Sequence, residues 1–194
     1  VTGSIAGSDV TVRSGGSLGG SGTIGTSVAV LAGGTLAPGT SIESLGAGHL
    51  NFSANSTYAY EMNNDALPAV AGDLTFSSGN LTIAAGAILT LAELGSGSWG
   101  MGEKLTLISY NGTWNNGVFT YLGNPLSDGS DFSFSGATWN INYDDSVKGS
   151  NYTSDATGTF VTITVVPEPE AIMLFGAGVT ILGLRLVRRR RTSV

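Results

Sequence analysis

The sequence predicts an all-β protein built around a parallel β-solenoid, and three observations lead to this fold class. Before residue 166, glycine and β-branched residues dominate, and no apolar face recurs every 3.6 residues as it would in an amphipathic helix. A stretch of 18 residues is repeated near the start of the chain. The aromatic residues are concentrated late, with 11 of the 16 lying between residues 99 and 160.

The first predicted region, residues 1–98, consists of solenoid repeats. Residues 10–27 align with residues 28–45, and each copy reads as a short strand, a Gly-Gly corner and a second short strand. Weaker copies begin at Leu50 and Leu81. One unit cannot bury its apolar side alone, so the units must stack, and glycine supplies the positive φ of a sharp corner. The identical pairs are Val10/Val28, Val12/Val30, Gly15/Gly33, Gly16/Gly34, Leu18/Leu36 and Ile24/Ile42.

The sequence carries signals for both hands of the solenoid. Aliphatic residues recur every six positions from Val12 to Ile42, which suits a left-handed triangular coil. Residues 33–62, with the segments GGTLAPGTSI and LNFSANSTYAYEM, instead resemble the repeat of autotransporter passenger domains. That resemblance extends over residues 10–165 and implies a right-handed β-helix, which we favour. The chain has no counterpart of the autotransporter outer-membrane barrel, so self-translocation is not implied.

The second predicted region, residues 99–165, is a β-rich cap. Apolar residues alternate along several short segments, and Asn111-Gly112, Asn116-Gly117 and Asp128-Gly129 are typical of hairpin turns. A solenoid needs a cap because its last strands would otherwise present unpaired edges. We therefore expect antiparallel strands here.

The third predicted region, residues 166–194, differs sharply in composition. It begins with Pro167, Glu168 and Pro169, and an apolar run over residues 171–187 follows that only Arg185 interrupts. Apolar side chains suit a bilayer and a helix satisfies its own backbone there, so we predict one transmembrane helix. Clustered arginines resist translocation, which places the C-terminal end in the cytoplasm and the remainder outside. The cluster is Arg188, Arg189, Arg190 and Arg191.

The order of these three pieces resembles the PEP-CTERM protein-sorting signal of exopolysaccharide-producing Gram-negative bacteria. The resemblance implies that Pro167, Glu168 and Pro169 are the sorting motif and that residues 188–191 are its basic anchor. It also implies a partner, an exosortase-type membrane protease that recognises the motif. The precursor would then be anchored in the inner membrane, and the mature protein would reach the cell envelope, the cell surface or the extracellular space.

The charge distribution agrees with export. Residues 1–166 carry 12 acidic side chains and only Arg13, Lys104 and Lys148, a net charge of −9, whereas residues 167–194 have a net charge of +3. An outer part this acidic cannot neutralise phosphates, which excludes nucleic acid as a partner. The chain has no cysteine, which excludes disulfides and thiol chemistry. We expect a secretory signal peptide before Val1 in a longer precursor.

Motifs for catalysis are weak, and we assign no catalytic, cofactor-binding or metal-binding residue. Two Gly-x-Gly-x-x-Gly matches, at residues 20–25 and 95–100, are not followed by a predicted helix that could hold a pyrophosphate. His49 is the only histidine, and no nucleophile elbow is present. The remaining candidates are better explained as solvated turn residues than as calcium ligands: Asp128, Asp131, Asp144 and Asp145.

Three functions are compatible with these observations. We expect a non-enzymatic structural protein of the cell surface, associated with matrix or biofilm. The alternative is a carbohydrate-binding or adhesin module acting on exopolysaccharide, in which an exposed indole would stack on a sugar ring; the candidates are Trp99, Trp114 and Trp139. Ice binding would need flat ranks of Thr-x-Thr, and only Thr162-x-Thr164 is present.

Overall fold

The structure, a computed structural model, describes residues 1–154 and 158–167. In these residues it is mostly β, with two mixed, largely parallel sheets, and the only helix within them is a 3₁₀ turn, Pro68–Val70. The strands are β1 (Ser4–Ile5), β2 (Val10–Val12), β3 (Ser17–Gly20), β4 (Thr23–Val30), β5 (Thr35–Pro38), β6 (Ser44–Phe52), β7 (Thr57–Met62), β8 (Leu74–Ser77), β9 (Leu81–Ile83), β10 (Ile88–Glu93), β11 (Lys104–Tyr110), β12 (Thr120–Tyr121), β13 (Asn124–Pro125), β14 (Asp131–Phe134), β15 (Ala137–Asp145) and β16 (Thr159–Val166).

The chain passes back and forth between the two sheets. The ten-stranded first sheet has the order β1-β4-β6-β8-β11-β16-β15-β14, with β2 also on β4 and β9 also on β6. The six-stranded second sheet has the order β13-β12-β10-β7-β5-β3. Pairing is parallel from β1 to β11 in the first sheet and from β3 to β12 in the second, and antiparallel beyond those strands.

The register confirms most of the repeat alignment. Val10 pairs with Val28, which pairs with Leu50 and then Leu81, so the predicted copies lie side by side. In the second sheet a matching ladder joins Leu18, Leu36, Tyr58 and Leu89. Like residues stack on like residues, so each strand continues the apolar strip of its neighbour.

Two details of the sequence alignment are wrong. Ile24 pairs with Ala47 and not with Ile42, because the register shifts between Ile24 and Ser27. Ile24 and Val30 moreover lie on one strand, β4, so their spacing of six does not mark separate faces of a triangular coil. A local irregularity of this kind leaves no signal in a regular spacing.

The corners are built as predicted, with one substitution. Gly15, Gly33 and Gly86 have φ of 76°, 75° and 84°, and Asn55 occupies the equivalent corner with φ of 58°. A chain of hydrogen bonds joins these corners: the N–H of Gly15 donates to Gly33, that of Gly33 to Asn55, and that of Asn55 to Gly86, at 2.7–2.9 Å. Asparagine is among the few residues other than glycine that adopt this conformation readily.

The core changes character along the chain because successive coils become longer. The register offsets are 18, 22 and 31 residues. The short first coils are filled by Val28, Val30 and Leu36, which are fully buried. The longer coils enclose a wider section, and aromatic side chains fill it; they include Phe52, Tyr58, Phe119, Trp139 and Tyr143.

The predicted hairpin turns are wrong, although the later strands are antiparallel as expected. The two-residue hairpins lie at Leu122-Gly123 and Ser135-Gly136, where all four residues have positive φ. Asn111 and Gly112 instead donate their N–H groups to the carbonyls of the preceding coil, as extensions of β11. Neither Asn116-Gly117 nor Asp128-Gly129 connects two paired strands.

Candidate ligand-binding groove

A groove of about 550 Å³ lies on the outer side of the second sheet, beside the β12–β13 hairpin. Strand β10 contributes Ile88 and Thr90, and β12 contributes Thr120 and Tyr121. The hairpin turn adds Leu122, whose side chain is 80% exposed. A volume of this size falls within the range of about 300–1,000 Å³ that is common for small-molecule sites.

The groove combines an apolar surface with neutral polar groups. Its hydroxyls come from Thr90, Thr120 and Tyr121, an amide comes from Asn55, and no lining residue carries a charge at neutral pH. The Tyr121 ring packs against Phe132 at a centroid distance of 5.2 Å, and burial raises the pKa of its phenol. The arrangement suits a neutral ligand with both apolar faces and hydroxyl groups, because a charged ligand would find no counter-charge.

Leu122 and Tyr121 are functional candidates that the sequence did not reveal. The tight turn at Leu122-Gly123 places an apolar side chain at a position with φ of 49°, where asparagine or glycine is usual. That departure was the one available signal. It carried no weight alone, because the strand that completes the groove comes from residues 88–91, far away in the sequence.

The three tryptophans lie elsewhere and serve packing. Trp139 is fully buried, and its indole N–H donates to the carbonyl of Phe134 at 3.1 Å. Trp114 stacks flat on Tyr143, with ring centroids 5.2 Å apart and planes inclined by 6°. Trp99 meets Trp139 edge to face and donates its N–H to Glu93. The Trp139 ring therefore offers no face to a sugar, and the other two are half-buried.

Other residues considered from the sequence lie apart from the groove. His49 is exposed, as predicted, and its Nδ1 accepts the N–H of Asn80 at 2.9 Å. Thr162 is buried against the carboxylate of Asp145, so the Thr-x-Thr pair forms no open rank. Asp145 also forms a 2.6 Å ion pair with Lys104. Among residues 1–154 and 158–167, no three His, Cys, Asp or Glu side chains converge as a metal site would require.

A buried polar cluster holds the two sheets together near the groove-free end of β7. Asp73 is fully buried, and its two oxygens accept the N–H groups of Glu43 and Glu61 at 3.1 Å each. Burial raises the pKa of this carboxyl to about 7, although the two N–H donors oppose the rise. Asn151 reaches the same cluster and donates to the carbonyls of Asp73 and Thr106. Since every oxygen is occupied by the protein itself, we interpret the cluster as structural.

The sorting motif lies at the edge of the part that the structure describes. Pro167 directly follows β16, which ends at Val166, and its side chain is half-buried. Glu168, Pro169, the predicted transmembrane helix and the cluster at residues 188–191 lie outside the described residues. Within the described ranges, no helix has the length and apolar character needed to span a membrane.

Comparison with models of known protein families gives no match to any stretch of the chain, and comparison with curated protein sequences gives no significant match. The likeness of residues 167–191 to a sorting signal, and of residues 10–165 to passenger-domain repeats, therefore stays a prediction from sequence.

Proposed function

We propose that the chain is an exported, non-enzymatic structural protein of the cell envelope or surface, sorted through a C-terminal PEP-CTERM signal. The observation that carries the proposal is the change at Val166. The last strand ends there, and the next residues are Pro167, Glu168 and Pro169, followed by an apolar run and four arginines. A recognition motif placed directly after a folded unit is accessible to a protease, and prolines keep it out of the sheet.

In this proposal the folded part is a right-handed parallel β-solenoid over residues 1–98 with a β-rich cap over residues 99–165. The stacked parallel strands, the corner hydrogen bonds and the like-on-like ladders support a solenoid. The antiparallel pairing of β14, β15 and β16 supports a cap, because it closes the first sheet at that end. Such a rod would act as an acidic spacer or scaffold in matrix or biofilm.

The proposed partners are the bilayer and an exosortase-type membrane protease. The precursor would be held in the inner membrane by residues 171–187 and the arginine cluster, and processed near Pro169. Mass spectrometry of the mature C-terminus, from a host with an exosortase, tests this. We expect the residues beyond the motif to be missing. Alanine at Pro167 and Glu168 should leave the full mass, and alanine at Thr192 and Ser193, beyond the arginines, should not.

A second candidate function is the binding of a neutral polysaccharide in the groove beside the β12–β13 hairpin. Its uncharged lining and exposed Leu122 favour such a ligand over an anionic one. Glycan arrays and titration calorimetry with neutral polysaccharides would test it. Leu122→Asn, which suits the positive φ of that turn, should abolish binding. Leu67→Asn alters an equally exposed leucine on another loop and should leave binding unchanged.

A further inference from the structure

The end of the molecule that carries β1, β2 and β3 presents unpaired strand edges in both sheets. In the first sheet, β1 and β2 pair only with β4, and in the second sheet β3 pairs only with β5. The backbone donors and acceptors on the other side of these strands have no partner strand among the described residues. An edge of this kind is a template for another strand.

The apolar interior is also incompletely covered at this end. Val10 and Leu18 are only half-buried, whereas their ladder neighbours Val28 and Leu36 are fully buried. The opposite end is treated differently. Pro125 lies on its edge strand β13, and Asp131 begins its edge strand β14. Proline and charge at an edge discourage pairing, and β1 to β3 contain neither.

The orientation of β2 leaves one residue free to pair outward. The carbonyl of Val12 accepts the N–H of Leu31, on the β4 side. Because successive residues of a strand direct their N–H and C=O groups to opposite sides, both groups of Thr11 point to the open edge. Thr11 is the middle residue of β2, so a two-fold axis through it would pair β2 with its own copy.

The charges beside β2 fit such a two-fold pairing. Asp9 precedes the strand and Arg13 follows it, both exposed, and Arg13 is the only lysine or arginine in residues 1–98. In an antiparallel pair centred on Thr11, Asp9 of each chain lies opposite Arg13 of the other, and Val10 lies opposite Val12. Opposite charges across an antiparallel pair stabilise it, and two apolar edges then cover each other.

We propose that this edge is a homodimer interface: two copies join end to end, with β2 pairing antiparallel to β2 of the second copy around Thr11. Both sheets then continue across the junction, and the half-buried Val10 and Leu18 become covered. The product is a rod of twice the length with a cap at each end. This interface depends only on the described edge, and it does not require the sorting signal or the groove.

A single-cysteine experiment on the full chain in detergent tests the pairing. The chain has no cysteine, so Thr11→Cys introduces the only thiol. Directly paired residues that exchange hydrogen bonds have Cα atoms about 5.5 Å apart, within the range of a disulfide. We expect mild oxidation to convert most of the Thr11→Cys chain to a covalent dimer. Ser133→Cys, exposed on the opposite edge strand β14, is the matched control and should stay monomeric.

Charge variants on the Thr11→Cys background separate specific pairing from random collision. Asp9→Arg or Arg13→Asp alone puts like charges opposite each other at both ends of the pair, so cross-linking should fall several-fold. The double swap restores opposite charges and should restore cross-linking. In the chain without cysteine, Thr11→Pro removes the outward N–H but no bond to β4, and the native dimer should become a monomer by light scattering.

The outcomes decide the proposal. A folded Thr11→Cys chain that stays monomeric on oxidation overturns it, as does cross-linking equal to that of Ser133→Cys. Cross-linking that survives both single charge changes overturns the two-fold register. Circular dichroism of each variant shows whether the sheets are intact, and the charge swap keeps the test valid even if Thr11→Pro fails to fold.

Discussion

The glycine-rich coils and the aromatic-rich C-terminal strands solve the same packing problem in different ways. In the coils, aliphatic residues stack on aliphatic residues in parallel register, and the ladder from Val10 to Leu81 repeats one arrangement. In the later strands each contact is unique, such as Trp114 stacked on Tyr143 and the Tyr110 hydroxyl bonded to the carbonyl of Tyr143. Repetition stabilises by many similar small contributions, whereas the C-terminal strands depend on a few large ones.

The difference teaches how a repetitive rod acquires a defined end. Stacked coils can slide by a register because neighbouring positions are alike. The C-terminal region fixes the position through long-range hydrogen bonds from buried side chains, including Tyr58 to the carbonyl of Leu107 and Asn151 to the hydroxyl of Tyr60. Burial raises the pKa of both tyrosines well above the usual range, so they stay neutral donors at any physiological pH.

Truncation of the central aromatic should break the comparison most severely. Trp139→Ala removes a fully buried indole and is expected to lower the free energy of unfolding by about 4 kcal/mol. Leu18→Ala, in the half-buried first coil, should cost less than half as much. Urea denaturation of both variants measures the difference. Equal losses would show that the two regions share the load evenly.

Removal of the side chain that joins the regions should have the next largest effect. Asn151 is buried, and its loss leaves the N–H and carbonyl of Thr106 and the carbonyl of Gly72 without that partner. We expect Asn151→Ala to lower the free energy of unfolding by about 3 kcal/mol. Asn124→Ala, at an exposed hairpin position, is the matched control and should change stability by less than about 0.5 kcal/mol.

The pH dependence should differ in sign between the regions, beginning with Asp73. Its pKa is about 7 in the folded protein against 3.8 for the free side chain, so the folded state binds the extra proton between those values. Stability should therefore fall as pH rises, by about 2 kcal/mol between pH 5 and pH 6.5, and level off above pH 7. Denaturation at several pH values measures this fall. Asp73→Asn should lack it, and a parallel fall in that variant would assign it to another group.

Asp145 provides the opposite case in the C-terminal strands. Burial acts to raise the pKa of this carboxyl, but hydrogen bonds from Lys104, Val147 and Thr162 outweigh it and hold the pKa below the usual 3.8. Its stabilising contribution is present above that value and is lost as pH falls further. Lys104→Met should reduce this acid-induced loss and leave the fall between pH 5 and pH 6.5 unchanged.

The smallest effect should come from a corner. Gly15 has φ of 76°, and an added Cβ would meet no atom within 4 Å, so only backbone strain opposes a side chain. We expect Gly15→Ala to cost about 1 kcal/mol. Gly15→Asn should cost about half of that, because Asn55 already occupies the equivalent corner. Thermal denaturation of the two variants distinguishes them, and equal costs would show that the corner tolerates no side-chain difference.

Much of the coil region could be predicted from the sequence, and its limits are instructive. Identities at an offset of 18 residues correctly paired Val12 with Val30 and Leu18 with Leu36. The alignment failed at Ile24, where a bulge shifts the register. The groove could not be predicted, because β10 and β12 meet only after a coil of more than thirty residues closes.

The amino-acid sequence by itself determined the β character, the stacked register of the first coils, the glycine corners and the composition of the C-terminal tail. These features arise from contacts between neighbouring repeats, and such contacts leave a periodic signal. Only the tertiary structure decided where the hairpins turn, which tryptophans are buried, how Asp73 and Asn151 join the sheets, and which edge stays open. The Asn151 side chain and the Tyr60 hydroxyl are 91 residues apart in sequence, and a single contact over that distance has no period to detect.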